Sequence, residues 1–364
     1  MRPRHLRRTR RALLLPLLLA ACGQGDAAVR DAAVRAADSA AVAAAPARVV
    51  PDEARLARAY ERAAELPRLR SLLVQWRDTL RAERYFHGAR RDAPANIKSA
   101  SKSVVSALVG IALADGELRS LDQTVGELLP ADSRGLEAEK RAITVEDLLT
   151  MRAGLESTSF GNYGPWVSSR DWVRDALRRP MVAPTGSAGG PMIYSTGSSH
   201  LLSAILTRAT GTSTYRFADR RLFRPLGIRL RPWTTDPRGI YFGGNEMRLT
   251  PREMLAFGAL YLNRGRAPDG RQVVPERWVD SSWVPRTTSP WNGHGYGYGW
   301  WHREVRGRDV HFAWGYGGQY IFVVPSLRLV VVTTSDPNAA TRDGTHLDAI
   351  HSLVADEIMP AYGG

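Results

Sequence analysis

Apolar and polar positions along this chain change their period several times, and each change marks an element. Residues 52–66 repeat at helical spacing and predict a helix. SLLVQWRDTLRAERYF then gives two apolar runs around a polar Arg77-Asp78-Thr79 turn, the pattern of a β-hairpin. After NIKSASKS, residues 96–103, the segment SVVSALVGIALADG predicts an apolar helix that stops at Asp115-Gly116, with glycine in the usual C-terminal position. Further helices are predicted in TVEDLLTM, capped at Thr144, near SSRDWVRDALRR, and in SSHLLSAILTRATG. Thr250-Pro251-Arg252-Glu253 reads as a capping box with proline at the first helical position. Beyond Gly295 the period becomes two: GYGYGWWHREV, RDVHFAW, QYIFVVP and LRLVVVTTS predict a run of strands, and a last helix covers about 344–358.

Strands at both ends with helices between them imply one sheet built from the two termini, with a helical lobe inserted. The expected fold class is α/β of the α+β type, a mostly antiparallel sheet flanked by helices. The sheet lobe takes about 51–98 and 245–364, and an all-helical lobe about 99–244. The alternation Tyr296, Tyr298, Trp300 in GYGYGWW puts three rings on one strand face and glycines on the other, which predicts core packing beneath a close helix.

The N-terminus changes the picture from a plain globular chain to an exported one. MRPRHLRRTRRALLLPLLLAACGQG is a basic stretch, an apolar run from Ala12 to Ala21 too short to span a bilayer, and then Cys22, the one cysteine of the chain. Leu19-Ala20-Ala21-Cys22 resembles the bacterial lipobox, which implies a signal at 1–21 that is cut off and a lipid anchor on Cys22. Gly23 follows, with no aspartate to favour the inner membrane, so the expected place is the outer membrane, facing the periplasm or the cell surface. Residues 22–50 are Ala-rich and lack an apolar stripe, as in a tether. The formal charge is +14. The six arginines of the signal leave +8 for the mature chain, spread as scattered arginine rather than one run. The scatter fits ordinary surface arginine better than attraction to an anionic membrane surface or cell-wall polymer, and export argues against a nucleic-acid partner.

Candidate chemistry begins with the lysines. Basic residues here are almost all arginine, and Lys98 and Lys102 stand together with Lys140 as the one other lysine. Arginine cannot accept a proton near neutral pH, whereas a desolvated lysine can. Ser99 and Lys102 stand in Ser-x-x-Lys register at the start of the apolar helix, and a spacing of three puts both on one face. The helix N-terminus and the apolar body behind Lys102 both lower the pKa of such a lysine. By itself the motif also fits a capping serine with a snorkelling lysine.

The surrounding words resemble the serine β-lactamase and penicillin-binding-protein superfamily, in its class C-like branch. NIKSASKSVVSALVGIALADG is similar to that branch's nucleophile helix, TVEDLLTMRAGL to the following helix and turn, and IYSTGSSHLLSAILTRATG to its second-motif helix. RLFRPLGI, LTPREMLAFGALYLNRG and AWGYGGQYIFVVP extend the likeness over roughly residues 70–358. The resemblance implies Ser99 as acylated nucleophile, Lys102 as its base or proton partner, and Tyr194 of Tyr194-Ser195-Thr196 as the third member of a proton network. Thr196 departs from the family's asparagine. The third motif, Lys-Thr-Gly or His-Thr-Gly in relatives, aligns with Ala313-Trp314-Gly315. Gly315 would let the strand approach the substrate, and the N–H groups of Ser99 and Tyr316 would form the oxyanion hole. The cation of that motif is missing, and His311, two residues upstream, reads as an ordinary strand histidine. Tyr163 and Trp166, in the loop FGNYGPW, are candidates for the cleft wall or for anchors of the loop.

Neither a His-Glu-x-x-His nor a Gly-x-Ser-x-Gly occurs, so no metal or other cofactor is expected and a Ser-His-Asp hydrolase is the weaker serine reading. The expected activity is a lipid-anchored acyl-enzyme hydrolase acting on a small ester or linear amide, similar to the esterases and 6-aminohexanoate-dimer hydrolases of the branch. Alternatives are a D-Ala-D-Ala carboxypeptidase or β-lactamase, and an inactive binding lipoprotein of the same fold. Thr196, Trp314, Gly315, Tyr163 and Trp166 are the expected substrate-binding residues.

Overall fold

The period-two segments at the two ends of the chain meet in one antiparallel sheet. The computed structural model describes residues 50–338 and 344–363, so the signal, Cys22 and the tether as far as residue 49 lie outside the described residues. The strands are β1 Leu69–Trp76, β2 Thr79–Tyr85, β3 Ala95–Asn96, β4 Arg248–Leu249, β5 Thr287–Thr288, β6 Gly295–Tyr296, β7 Trp301–Val305, β8 Arg308–Gly315, β9 Gln319–Val324 and β10 Leu329–Ser335. Among the described residues eight of these form the main sheet, in the order β2-β1-β10-β9-β8-β7-β6-β5. The N-terminal hairpin therefore adds onto the last strand, with Leu73 opposite Val332 and Val74 opposite Val331.

Both faces of this sheet are covered, which is why β9 and β10 read as unbroken apolar runs. Tyr320, Phe322, Leu329 and Val331 pack on one side with α1 Glu53–Glu65 and the C-terminal helical segment. Ile321, Val323, Val330 and Val332 pack on the other with α2 Ser101–Ala114, α3 Thr196–Ala209 and α4 Pro251–Leu262. Local chemistry starts several of the helices. Asp52 caps α1 through the Arg55 N–H at 2.9 Å. Thr250 and Glu253 form the capping box of α4, and Thr144 forms one with Asp147.

β3 and β4 pair with each other, Ala95 opposite Leu249 and Asn96 opposite Arg248. The chain leaves the sheet at Asn96 and returns at Arg248, so this short ladder closes the neck of the helical insertion. Between the two, the described residues hold helices, loops and isolated bridges.

The aromatic alternation resolves differently from its sequence reading. Strand β6 ends at Tyr296, and the chain turns with Gly297 N–H donating to Trp300 O at 2.9 Å and Gly299 at φ +73°. Tyr296 joins one core, while Tyr298 and Trp300 join the other. The cause is the approach of α2. Ser103 Oγ donates to Gly299 O at 2.6 Å, and a Cβ on Gly299 would stand 2.8 Å from Lys102 O. The close helix was foreseen; the single face of rings was not formed, because that helix bends the strand.

Gly299→Ala should therefore lower unfolding free energy by about 2–4 kcal/mol, roughly 1–2 for the left-handed backbone and the remainder for overpacking. Gly307 has a similar φ of +71° but open space around its Cβ position, so Gly307→Ala should cost only about 1 kcal/mol. Urea denaturation of the two variants checks this; equal losses would refute the packing argument.

Candidate active site

The turn that carries Ser99 is built by its own polar neighbours. Lys98 takes φ +52°, its N–H donates to Asn96 Oδ1 at 3.0 Å, and Ser101 Oγ donates to Lys98 O at 2.6 Å. Ile97 and Ala100 are fully buried on either side. Ser99 thus sits in a 3-10 turn, Lys98–Ala100, one step ahead of α2 rather than inside it. The spacing of three still works, and Lys102 Nζ lies 3.0 Å from Ser99 Oγ.

Lys102 is buried, and its other partners are uncharged: Gly244 O at 2.9 Å and Thr196 Oγ1 at 3.4 Å. With no carboxylate to hold its charge, burial pushes its pKa down from 10.5 to about 7. The neutral amine can turn its lone pair to the Ser99 hydroxyl while its N–H groups still reach Gly244 O and Thr196. Glycine at 244 makes this approach available, since a Cβ there would stand 3.1 Å from Nζ.

Tyr194 enters from the residue before the N-cap of α3 and lines the same cleft as Ser99. Its ring centroid is 5.0 Å from Lys102 Nζ. Burial raises the Tyr194 pKa to about 12, so at neutral pH it keeps its proton and acts as a donor. Ser157 Oγ donates to Tyr194 O at 2.7 Å and fixes the segment. Thr196, at the family's asparagine position, is already engaged: its hydroxyl lies 2.9 Å from Ser159 Oγ as well as near Lys102.

These groups open into a cleft of about 540 Å³ lined by Lys98, Ser99, Tyr163, Tyr194, Thr196, Trp314 and Tyr316 among others. Tyr163 stands in the wall with its hydroxyl accepting from Asn245 Nδ2 at 2.8 Å. Trp166 does not. It is fully buried against Trp172, Phe242 and His200, with its indole N–H on Trp172 O at 2.9 Å, and it anchors the loop instead. Gly315 also differs from expectation. A Cβ there would run into the Ile97 carbonyl, so the glycine admits the backbone ahead of the nucleophile turn rather than a substrate. Ala313 is buried in the helix-side core, and its neighbour Trp314 takes the other face, beside Trp301 and Tyr320. His311 lies flat on Trp283, centroids 4.3 Å apart, and burial pushes its pKa down to about 3, so it supplies no cation here.

The sequence reading missed Ser159, Phe160, Asn245, Glu246, Trp291 and Trp301, all in the cleft lining. The Gly243-Gly244 pair was an available signal for backbone crowding. Phe160 stands in the very loop from which only the other two rings were singled out. Lys98 is not a second base: it pairs with Glu246 at 3.4 Å, and Asn96 donates to the same carboxylate at 2.8 Å.

Solved structures with the same fold include a candidate 6-aminohexanoate-dimer hydrolase from Bacillus anthracis, at 21% identity and TM-score 0.67, covering 80% of this chain and 78% of that one. EstCE1, a hydrolase with promiscuous acyltransferase activity, matches at 16% identity and TM-score 0.69, over 84% of this chain and 99% of its own. A D-stereospecific amidohydrolase from Streptomyces sp. matches at 18% and 0.64, over 84% and 98%. At these identities the likeness is one of fold. No curated protein matches the sequence. The family profile described as Beta-lactamase matches residues 71–355, a span that begins in β1, takes in the Ser99, Lys102 and Tyr194 cluster and runs past the last strand. On that match, the chain belongs to the beta-lactamase family.

Proposed function

We propose that this chain is a serine hydrolase that works through an acyl-enzyme on Ser99 and cleaves a small ester or linear amide. The observation that carries the reading is a buried lysine amine, with its pKa near 7, at 3.0 Å from a serine hydroxyl that opens on a cleft. Lys102 takes the Ser99 proton as the oxygen attacks the substrate carbonyl. The tetrahedral oxyanion rests on the N–H groups of Ser99 and Tyr316. Collapse breaks the carbonyl bond to the leaving alcohol or amine, which departs with a proton delivered through Tyr194 and Lys102. Water then adds to the acyl-enzyme by the same relay and releases the acid, so no cofactor is consumed.

The substrate reading follows from what the cleft offers. Thr196 is engaged within the network, Ala313 faces the core, and no arginine stands among the described lining residues. Lys98 is the lysine in the cleft lining, and Glu246 already neutralises it. A free carboxylate would gain no unpaired charge here, and a lost charge-assisted hydrogen bond is worth about 1.5–3 kcal/mol. A neutral ester or linear amide suits this better than a penicillin or a D-Ala-D-Ala end. The names of the Bacillus, EstCE1 and Streptomyces proteins, a 6-aminohexanoate-dimer hydrolase candidate, a hydrolase and an amidohydrolase, are compatible with this choice, while other structures of the same fold carry penicillin-binding-protein and beta-lactamase names. The proposed setting is a lipid anchor at Cys22 that holds the enzyme at the outer membrane, in the periplasm or at the cell surface.

A fluorophosphonate probe followed by peptide mass spectrometry should find the label on Ser99, and Ser99→Ala should lose it. A label that persists in Ser99→Ala would remove the central assignment.

The pH dependence has two signs to check. Because the neutral amine is the base, kcat/KM should rise with pH through about 7. The folded pKa lies below the unfolded 10.5, so between about pH 7 and 10.5 the unfolded chain binds more protons and stability rises with pH. The penalty is complete below about pH 7 and gone above 10.5. Lys102→Met should abolish the activity and flatten this part of the stability profile; an unchanged thermal-melt slope against pH would contradict a buried, neutralising lysine.

For the anchor, wild type should fractionate with membranes and Cys22→Ser should be released. A wild-type protein recovered wholly in the soluble fraction would refute it.

A further inference from the structure

Phe160, Trp291 and Tyr316 are the three exposed aromatic side chains among the described residues, at 63%, 56% and 64% exposure, and all three stand around the one cleft that holds Ser99. Exposed apolar surface gathered at one place marks a binding site rather than chance. Phe160 and Trp291 also meet each other edge to face, centroids 5.2 Å apart, although they come from loops about 130 positions apart in sequence. Both loops are built rather than slack. Asn162 Nδ2 donates to Ser157 O at 3.0 Å and Ser159 N–H to Ser157 Oγ at 3.0 Å on one side. On the other, Ser289 N–H donates to His294 O at 2.8 Å and Gly293 N–H to Ser289 O at 3.1 Å.

The pair lies over the Tyr194 ring, each centroid 6.4 Å from it, with Trp301 stacked on the same ring at 5.8 Å. In the reaction proposed above, on which this step rests, the departing oxygen or nitrogen must come within hydrogen-bond reach of the Tyr194 and Lys102 relay. Whatever that atom carries then leans on the surroundings of Tyr194, which are Phe160, Trp291 and Trp301. We propose that these three rings form the leaving-group subsite, and that the physiological substrate is a neutral ester or amide of an apolar alcohol or amine, its alkyl or aryl part packed against the surface that Phe160 and Trp291 make together.

An apolar leaving-group subsite has a kinetic signature that an acyl subsite lacks. Acetates of different alcohols share one acetyl-enzyme, so their deacylation is common, and selectivity shows in kcat/KM, which reports acylation. Ethyl, butyl and octyl acetate differ little in the intrinsic reactivity of the departing alkoxide, so a trend among them reads binding in the acylation transition state. A fully buried methylene is worth about fourfold. The half-open walls bury only part of the chain, and kcat/KM should rise about tenfold or more from ethyl to octyl acetate.

The test measures that series by pH-stat in wild type, Ser99→Ala, Trp291→Phe and the double variant Phe160→Ala/Trp291→Ala, with folding followed by circular dichroism and nitrophenyl acetate as a shared reference. The double variant should flatten the octyl-to-ethyl ratio to within about threefold, and Trp291→Phe should keep most of it. A flat series in wild type, a ratio unchanged in a folded double variant, or cleavage of nitrophenyl acetate without any alkyl acetate overturns the subsite while Ser99-dependent hydrolysis stands. Absence of Ser99-dependent hydrolysis from every substrate overturns the hydrolase reading itself, and this one with it.

Discussion

The burial of the Lys102 amine without a counter-charge is the constraint around which this molecule is arranged. An ammonium group in that position has no acid to offset its desolvation, so the fold makes the neutral form available near physiological pH. Keeping it there requires backbone on every side. Gly299 lets the turn after β6 close on the Lys102 carbonyl, Gly244 brings a carbonyl oxygen to within 2.9 Å of Nζ, and Gly315 lets β8 pass the backbone at Ile97. None of the three positions has room for a Cβ without displacing what it touches. Residues roughly 140 to 220 apart in sequence are thus drawn to one helix terminus, and the closure of β3 on β4 holds the two ends of the insertion together.

Two buried hydroxyl and amine groups beside one serine divide the work because burial moves them in opposite directions. Desolvation disfavours charge on each, which lowers the pKa of a lysine and raises that of a tyrosine. Lys102 at about 7 can accept a proton; Tyr194 at about 12 can only hand one on. The same environment therefore sets a base and a donor a few ångströms apart, with no need for a third charged group.

How much of this was legible in the sequence depends on how local the physics is. The first helix, the helix caps at Thr144 and Thr250, the hairpin at Arg77, and the strand runs beyond Trp301 all follow from neighbours in the chain, and they form as read. The Ser99 and Lys102 register is equally local. What failed depended on contacts from afar. The strand carrying Tyr296 breaks because α2 presses on Gly299, Trp166 is withdrawn by Trp172, Phe242 and His200, and Gly315 answers to Ile97 rather than to a ligand. The pairing of Lys98 with Glu246 joins residues almost 150 positions apart, and no spacing rule reaches that far. Phe160 and Trp291 met the same limit, since each is an ordinary loop aromatic until the other is set against it.

The charge of the whole and the charge of the site turn out to be separate matters. The sequence carries +14, yet the cleft holds one paired cation, one carboxylate and an amine that is half neutral near pH 7. Many surface arginines are tied to acids beside them, such as Arg252 to Glu83, Arg238 to Asp132 and Arg264 to Glu276. At physiological ionic strength their field fades over about 8 Å of solvent. The basic composition therefore says little about what enters the cleft. Selection of a substrate falls to shape and apolar surface, which are the properties that a ring-lined wall next to a neutral relay is able to read.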